Sequence, residues 1–408
     1  MEQERPKVYG YRWLVLASFV LIALMTQVLW ITFAPITSAA AKFYGTSDLQ
    51  IGLLSMIFMV VYILVFLPAA WAIDTWGFKA AVGFGAVLSA VFGLARGLFA
   101  SNYTAVLVST VGIAVGQPFV IGAITKLAGR WFPAEERATA SGLGTLALYL
   151  GPLIAMFLTP ALVLRAGLPS TLRIYGVATA VAAAVFLAVA RDHPPTPAGK
   201  EERALMLDGL KSMLHQRDFL YLLAIFFVGL GIFNSVSTWV EDIVRPRGFS
   251  ITQAGTLGGL MLVGGIVGAI VMPLFSDKSG RRKPFIVMAL TGLLPGLLGI
   301  TFATGYGLLL LSGFALGFFL LSAGPIGFQY GAEITYPAPE GTSNSLLIVA
   351  GQVSGIVFII GMDALKSPVT KSMTGPLLGL MGLTVVALFL ALALRESPIY
   401  KMKEGLSR

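Results

Sequence analysis

Residues 74–79 read Asp-Thr-Trp-Gly-Phe-Lys, and residues 277–282 read Asp-Lys-Ser-Gly-Arg-Arg. Each carries an acid, a glycine three residues on and a base two further, and the two stretches lie 203 residues apart. A second pair of loops repeats the interval. Phe132-Pro133-Ala134-Glu135-Glu136 and Tyr336-Pro337-Ala338-Pro339-Glu340 are 204 residues apart in a chain of 408. One charged hexapeptide is as readily an ordinary turn. Two at matched positions, joined by a second matched pair, mark a chain built as two similar halves.

Working outward from these loops, the chain is made of apolar runs about 20 residues long, the length that crosses a bilayer as a helix. Twelve such runs are expected, near 12–43, 49–73, 80–98, 105–129, 137–163, 171–190, 219–243, 253–275, 284–303, 306–331, 341–365 and 374–395. The first comes after a polar start, MEQERPKVYGYR, with no small-residue cleavage site, and reads as a retained span. The expected class is therefore an all-α membrane protein of two six-helix halves, 1–190 and 219–408. Between them lies the polar stretch 191–218. There Leu205, Leu210, Met213 and Leu214 recur at helical spacing among charges, which fits either a short surface-lying amphipathic helix or a solvated linker.

Composition agrees. Hydrophobic residues make up 57% and charged residues 12%, with a mean hydropathy of +0.86, whereas soluble domains carry about 25% charge. Cysteine is absent, which removes disulfides, thiolate nucleophiles and cysteine metal sites. The two histidines, His193 and His215, both fall in the polar linker, so no histidine metal site or Ser/His/Asp triad fits inside the apolar bulk. We expect no enzyme activity, no metal and no cofactor. The net charge of +9 has a topological reading. If the termini and the loops after even-numbered spans share one face, that face collects 20 of the 28 Lys and Arg residues. By the positive-inside rule it is cytoplasmic, and nucleic acid is not needed to explain the charge. A multi-pass protein of the plasma membrane (the inner membrane if bacterial), monomeric and with both termini cytoplasmic, is expected.

The 74–79 and 277–282 loops resemble the signature between the second and third helices of the major facilitator superfamily. The strings LSMIFMVVYILVFLPAAWAIDTWG, AVGQPF, RWFPAEERATA and AEITYPAPEGTS are similar, more narrowly, to the transporters named after the feline leukaemia virus subgroup C receptor, a family associated with choline, ethanolamine and haem. The superfamily resemblance implies that Asp74 and Asp277 cap a neighbouring helix end and pair with a base across the interface of the halves, latching one conformation. A carboxylate near helix N-terminal amides and a cation suits that role. The expected latch comprises Asp74, Gly77, Lys79, Asp277, Gly280, Arg281 and Arg282, with Glu136, Arg137 and Glu340 of the second loop pair.

Charged residues avoid the middle of every span. Asp74, Lys126 and Glu333 fall near cytoplasmic ends, and Arg96, Glu241, Asp242 and Asp363 near outer ends. A charge at the bilayer centre costs roughly 2.5–3.5 kcal/mol and usually marks an ion or proton path. With none there, a facilitative carrier is expected, and Glu241, Asp242 and Asp363 are the outer-leaflet candidates for any ion coupling. Polar mid-span groups are few among 3 Asn and 8 Gln: Gln117 in the fourth span, Asn234 in the seventh and Gln352 in the eleventh. Trp30 lies at or just beyond the centre of the first span, one turn after Gln27.

In a two-half carrier the first, fourth, seventh and tenth spans line the cavity and the eleventh gates it. A quaternary ammonium donates no hydrogen bond and is held best by aromatic faces, helped by amide oxygens. Trp30 is the candidate wall, supported by Tyr62, Phe233 or Tyr149, and Gln117 and Gln352 are the candidate orienting groups. The resemblance implies the same roles for Trp30, Gln117 and Gln352. It weakens in the seventh span, where Phe233-Asn234 stands in place of adjacent tyrosines and leaves room for a smaller amine. Each amide has an alternative role as an interhelical tie, and Trp is also common at membrane interfaces. Gly142, Gly144, Gly151, Gly264, Gly265 and Gly268 read as close helix packing, and Pro118, Pro152, Pro273 and Pro325 as candidate kinks.

The expected function is alternating-access transport of a small organic cation or amino-alcohol. Two other readings stay open. One is the same fold carrying haem or another organic solute, with or without proton coupling, although haem would find only Tyr or Met as iron ligands. The other is a receptor or scaffold that does not transport, against which the duplicated loops argue.

Overall fold

The computed structural model describes residues 8–195, 210–338 and 340–397. All regular structure among them is helical: α1 (Tyr11–Ile31), a 3-10 turn (Ala34–Ile36), α2 (Thr37–Tyr44), α3 (Asp48–Trp76), α4 (Phe78–Leu98), α5 (Tyr103–Ile121), α6 (Ile124–Trp131), α7 (Ala134–Val189), α8 (Leu210–Met213), α9 (Arg217–Thr238), α10 (Val240–Val244), a 3-10 turn (Arg245–Arg247), α11 (Ile251–Ser279), α12 (Lys283–Phe302), α13 (Tyr306–Thr335), α14 (Glu340–Ala364) and α15 (Thr374–Ala393). A chain this apolar must satisfy its backbone internally if it sits in lipid, and the helix does so segment by segment.

Eleven stretches among the described residues are long and apolar enough to cross a membrane. One of them, Glu135–Val189, is 55 residues, more than twice the required length. Gly167 breaks α7 there, at φ 77 and ψ 164, a backbone that glycine tolerates and other residues avoid. The break yields the fifth and sixth of the twelve expected crossings.

Three spans expected to be continuous are interrupted. The run 12–43 is split after Ile31, because Pro35 has no N–H to return to the Ile31 carbonyl. The run 105–129 breaks at Gly122-Ala123, four residues after Pro118, with the Gly122 amide bonded back to the Pro118 carbonyl at 3.0 Å. The run 219–243 breaks at Trp239, whose indole donates to the Ile359 carbonyl at 3.1 Å. In the expected linker, residues 196–209, with Leu205, lie outside the described residues. The next element, α8, is a single turn with Met213 buried.

The chain divides into two compact units. The first holds residues 8–32, 40–46 and 53–195 of those described. In it α1 and α4 lie along α7, and α4 and α1 also pack on α5. Ala69 and Ala72 of α3 bury against Phe119 of α5. The second holds 33–39, 47–52 and the described residues from 210 onward, and pairs α11 with α13, α12 with α13 and α9 with α14. Small residues permit the closest of these pairings. A Cβ on Gly264, Gly268 or Gly317 would collide with the backbone carbonyls of Phe314, Phe318 and Met261. Gly151 is likewise pressed on α1, where a Cβ would lie 2.5 Å from the Leu24 carbonyl, whereas a Cβ on Gly142 would meet nothing within 4 Å, so Gly142 is no packing contact.

Candidate functional site

In the first unit Gly77, at φ 89, turns α3 into α4. The first amides of α4 need an acceptor, and Asp192, just past the end of α7, provides it: Lys79 N–H donates to Oδ1 at 3.1 Å. Arg130 at the end of α6 pairs with the other oxygen of Asp192. Asp74 instead pairs with Lys126 Nζ at 3.3 Å. In the second loop, Arg12 grips Glu136 with two bonds, at 3.0 and 3.1 Å. Arg137 donates to the carbonyls of Phe132 and Gly129 at 3.2 and 3.1 Å, closing the end of α6.

The second unit repeats the arrangement with other residues. Gly280, left-handed at φ 66, ends α11. Glu396, just past α15, accepts from Arg282 N–H at 2.8 Å and Lys283 N–H at 3.2 Å, at the start of α12. The Arg282 guanidinium reaches Glu333 at 3.0 Å and Ser276 Oγ at 3.1 Å, and pairs with Asp277. Among the described residues the Glu340 carboxylate accepts only from Asn344 of its own helix, at 3.4 Å, and the Arg281 side chain has no hydrogen bond.

For α4 and α12 the capping carboxylates are therefore not Asp74 and Asp277. Both stand on the last turn of the preceding helix, beside a base, and the caps come from Asp192 and Glu396. Lys79 serves through its backbone amide. Sequence reasoning missed the two caps, though a signal for them is present: Arg191-Asp192-His193-Pro194 and Arg395-Glu396-Ser397-Pro398 recur 204 residues apart, at the interval of the 132–136 and 336–340 loops.

The mid-span candidates divide by partner. Asn234 of α9 donates to the Gly351 carbonyl of α14 at 3.2 Å, an interhelical tie one residue from Gln352. The glutamines differ. Gln27 and Gln117 are buried at 6% exposure and Gln352 is half-buried, and among the described residues none of the three amides has a hydrogen-bond partner or is sealed from contact. Trp30 is buried at 9% exposure, and its carbonyl accepts from Ser55 Oγ at 3.4 Å. The first unit thus holds Gln27 and Trp30 on α1, Gln117 on the adjoining α5 and half-buried Tyr149 on the adjoining α7. Tyr62 on α3 stacks on Phe66 at 6.0 Å, and Phe233 on α9 is half-buried.

Two of the three acids expected at outer ends, Glu241 and Asp242, are tied up within the second unit. Lys366 Nζ lies 2.9 Å from Asp48 and 2.7 Å from Asp242, and Arg245 lies 2.6 Å from Asp48 and 2.7 Å from Asp242. Burial works against the charge on both bases. The carboxylates outweigh it, so the Lys366 ammonium and the Arg245 guanidinium are both held above their ordinary pKa values. Glu241 accepts from Ser38 N–H at 2.9 Å and Ser38 Oγ at 2.8 Å, capping α2. Asp363, half-buried on α14, has no ion pair among the described residues.

Comparison with known proteins gives a consistent result. The sequence signature of the Major Facilitator Superfamily matches residues 15–359. Solute carrier family 49 member A3 of Xenopus tropicalis is 31% identical over 91% of this chain and 81% of its own length. The choline/ethanolamine transporter FLVCR1 of Felis catus is 29% identical over 87% of this chain and 68% of its own. Among solved structures, a bacterial homolog of the human lysosomal transporter Spinster, inward-facing and unoccupied, aligns over 95% of this chain and 97% of its own with TM-score 0.71 at 17% identity. The nucleoside transporter NupG aligns over 93% and 99% with TM-score 0.72 at 12% identity. At these identities the structural likeness speaks for the fold alone. With its membrane-length helices, its paired loops and this family match, the chain is a multi-pass membrane transporter that belongs to the Major Facilitator Superfamily.

Proposed function

We propose that this protein is a facilitative, alternating-access carrier of a small organic cation or amino-alcohol of the choline or ethanolamine kind. The observation that carries the reading is the state of the glutamines. An amide inside a membrane span either ties helices together or waits for a ligand. Asn234 is of the first sort, and Gln27, Gln117 and Gln352 are of the second among the described residues. Trp30 supplies an aromatic face one turn from Gln27, on a helix that packs against that of Gln117, and such a face holds an ammonium with about 0.5–2 kcal/mol. The names of the FLVCR relatives favour the same substrate class. Phe233 in place of a tyrosine makes a smaller head group, nearer ethanolamine, the better fit.

Among the described residues no acidic side chain stands at mid-span, which argues for flux driven by the substrate's own gradient. Glu241 and Asp242, two of the acids that ion coupling would draw on, are instead held in hydrogen bonds and ion pairs. The loops at 74–79 and 277–282, with Asp192 and Glu396, act as the conformational latch. Purified protein in liposomes is expected to accumulate radiolabelled choline or ethanolamine to equilibrium with no imposed proton gradient, and Gln117→Ala to abolish that uptake. Uptake that requires a proton gradient would overturn the uniport reading, and no uptake of either amine would overturn the substrate class.

A further inference from the structure

We propose that Arg96 is the positioning residue for Trp30: its guanidinium clamps the broken end of α1 so that the indole is presented to substrate in one fixed orientation. This deepens the reading of Trp30 as a substrate-binding wall and rests on it.

The need arises from the chain itself. Helix α1 stops at Ile31, and Pro35 cannot supply the amide that would continue its hydrogen-bond ladder. Trp30 therefore sits on the last, weakest turn of a helix. Arg96, on the last turn of α4 and 0% exposed, donates from Nη1 to the Leu29 carbonyl at 3.0 Å, and its Nη2 reaches Thr32 Oγ1 at 3.5 Å. The two acceptors flank Trp30 in sequence. Thr32 Oγ1 in turn donates back to the Val28 carbonyl at 2.7 Å, and Ser55 of α3 holds the Trp30 carbonyl itself. Two helices thus hold the Leu29 and Trp30 carbonyls and the Thr32 hydroxyl around one aromatic residue, and a planar guanidinium meets two acceptors with a geometry no ammonium reproduces.

A buried cation in a span is costly to insert, so it needs a reason to be there. The repeated fold does not provide one. One repeat later, 203 residues on, stands Gly299, packed on Ser312 with no base in that place. The same helix in the second unit therefore folds without such a clamp, and the clamp goes with the tryptophan.

The test uses Arg96→Met, which keeps the stem and removes the donors, Arg96→Lys, and Thr32→Val, which removes one acceptor without touching the arginine. Each is made with and without Trp30→Phe, so that subtraction isolates the Trp30 emission. Arg96→Met is expected to shift that emission and raise its quenching by acrylamide, and to raise the choline or ethanolamine concentration giving half-maximal thermal stabilisation about tenfold. Thr32→Val should give a smaller change of the same sign, and Arg96→Lys should recover part of the loss. Should Arg96→Met fail to fold, the other two variants carry the same decision. Wild-type Trp30 emission and wild-type midpoints in these variants would overturn the proposal. If neither amine stabilises the wild type, the substrate reading fails on its own and the emission comparison still decides the role of Arg96.

Discussion

The turns between α3 and α4 and between α11 and α12 solve one problem with different residues. In both, a positive-φ glycine reverses the chain, and a carboxylate from just past the unit's last long helix caps the new helix: Asp192 on Lys79 N–H, Glu396 on Arg282 N–H. They differ in where the cation stands. The first unit draws it from α6, as Arg130 on Asp192 and Lys126 on Asp74. The second concentrates it in Arg282 of the turn itself, which joins Asp277 to Glu333 of α13. At the 204-residue interval of the adjoining loops, Arg130 corresponds to Ile334 and Gly129 to Glu333, so the base of one helix and the acid of the other stand one position apart in the repeat. Backbone geometry fixes the need for an anion at the helix start, whereas side-chain charge moves freely between neighbours as long as the sum balances.

This contrast predicts unequal costs. Arg282→Met should be the most damaging change, because it strands Glu333, whose side chain is 5% exposed. Breaking a buried pair from one side costs about 3–5 kcal/mol, which thermal unfolding in detergent will register. Gly77→Ala should be next, at about 1–2 kcal/mol, because it forces a side chain to φ 89 and sets a Cβ 2.6 Å from Asp192 Oδ1; Gly280→Ala, at φ 66 in the ordinary left-handed region, should cost less. Arg130→Met should cost about 1 kcal/mol, since Asp192 is 35% exposed and water replaces the lost partner. Losses equal to those of Arg282→Met would erase the asymmetry. Removing the caps should bring the two turns together again: Asp192→Ala and Glu396→Ala are each expected to lose about 1 kcal/mol, and a loss confined to one of them would show that the caps are not equivalent. Glu340→Gln, which touches only Asn344 across 3.4 Å at the surface, should leave the unfolding temperature unchanged.

How much of the fold and the site is legible in the sequence depends on the kind of signal. Span positions follow from uninterrupted apolar runs, and the boundaries found lie within a few residues of those expected. The interior breaks at Ile31, Gly122 and Trp239 are not legible in that way, because proline and glycine are common in membrane helices and only their neighbours decide whether the chain bends. Among site residues, the glutamines stand out by their rarity in apolar surroundings. That Asn234 ties α9 to α14 while Gln117 has no such partner among the described residues cannot be read from one dimension, since both are isolated amides in apolar runs. Asp192 and Glu396 are legible through their repeat interval, but they sit beyond the spans, where charge is ordinary and does not draw the eye.

By itself the sequence determined the class of protein, the number of membrane crossings and the twofold repeat, because each is a property of hydrophobicity and spacing along the chain, and transfer from water to lipid depends on local composition. The tertiary structure alone decided which carboxylate caps which helix, which amide lacks a partner among the described residues, and that Arg96, 66 positions from Trp30, reaches the Leu29 carbonyl before it and the Thr32 hydroxyl after it. Hydrogen bonds act over about 3 Å, and which groups come that close is set by how helices distant in sequence pack together.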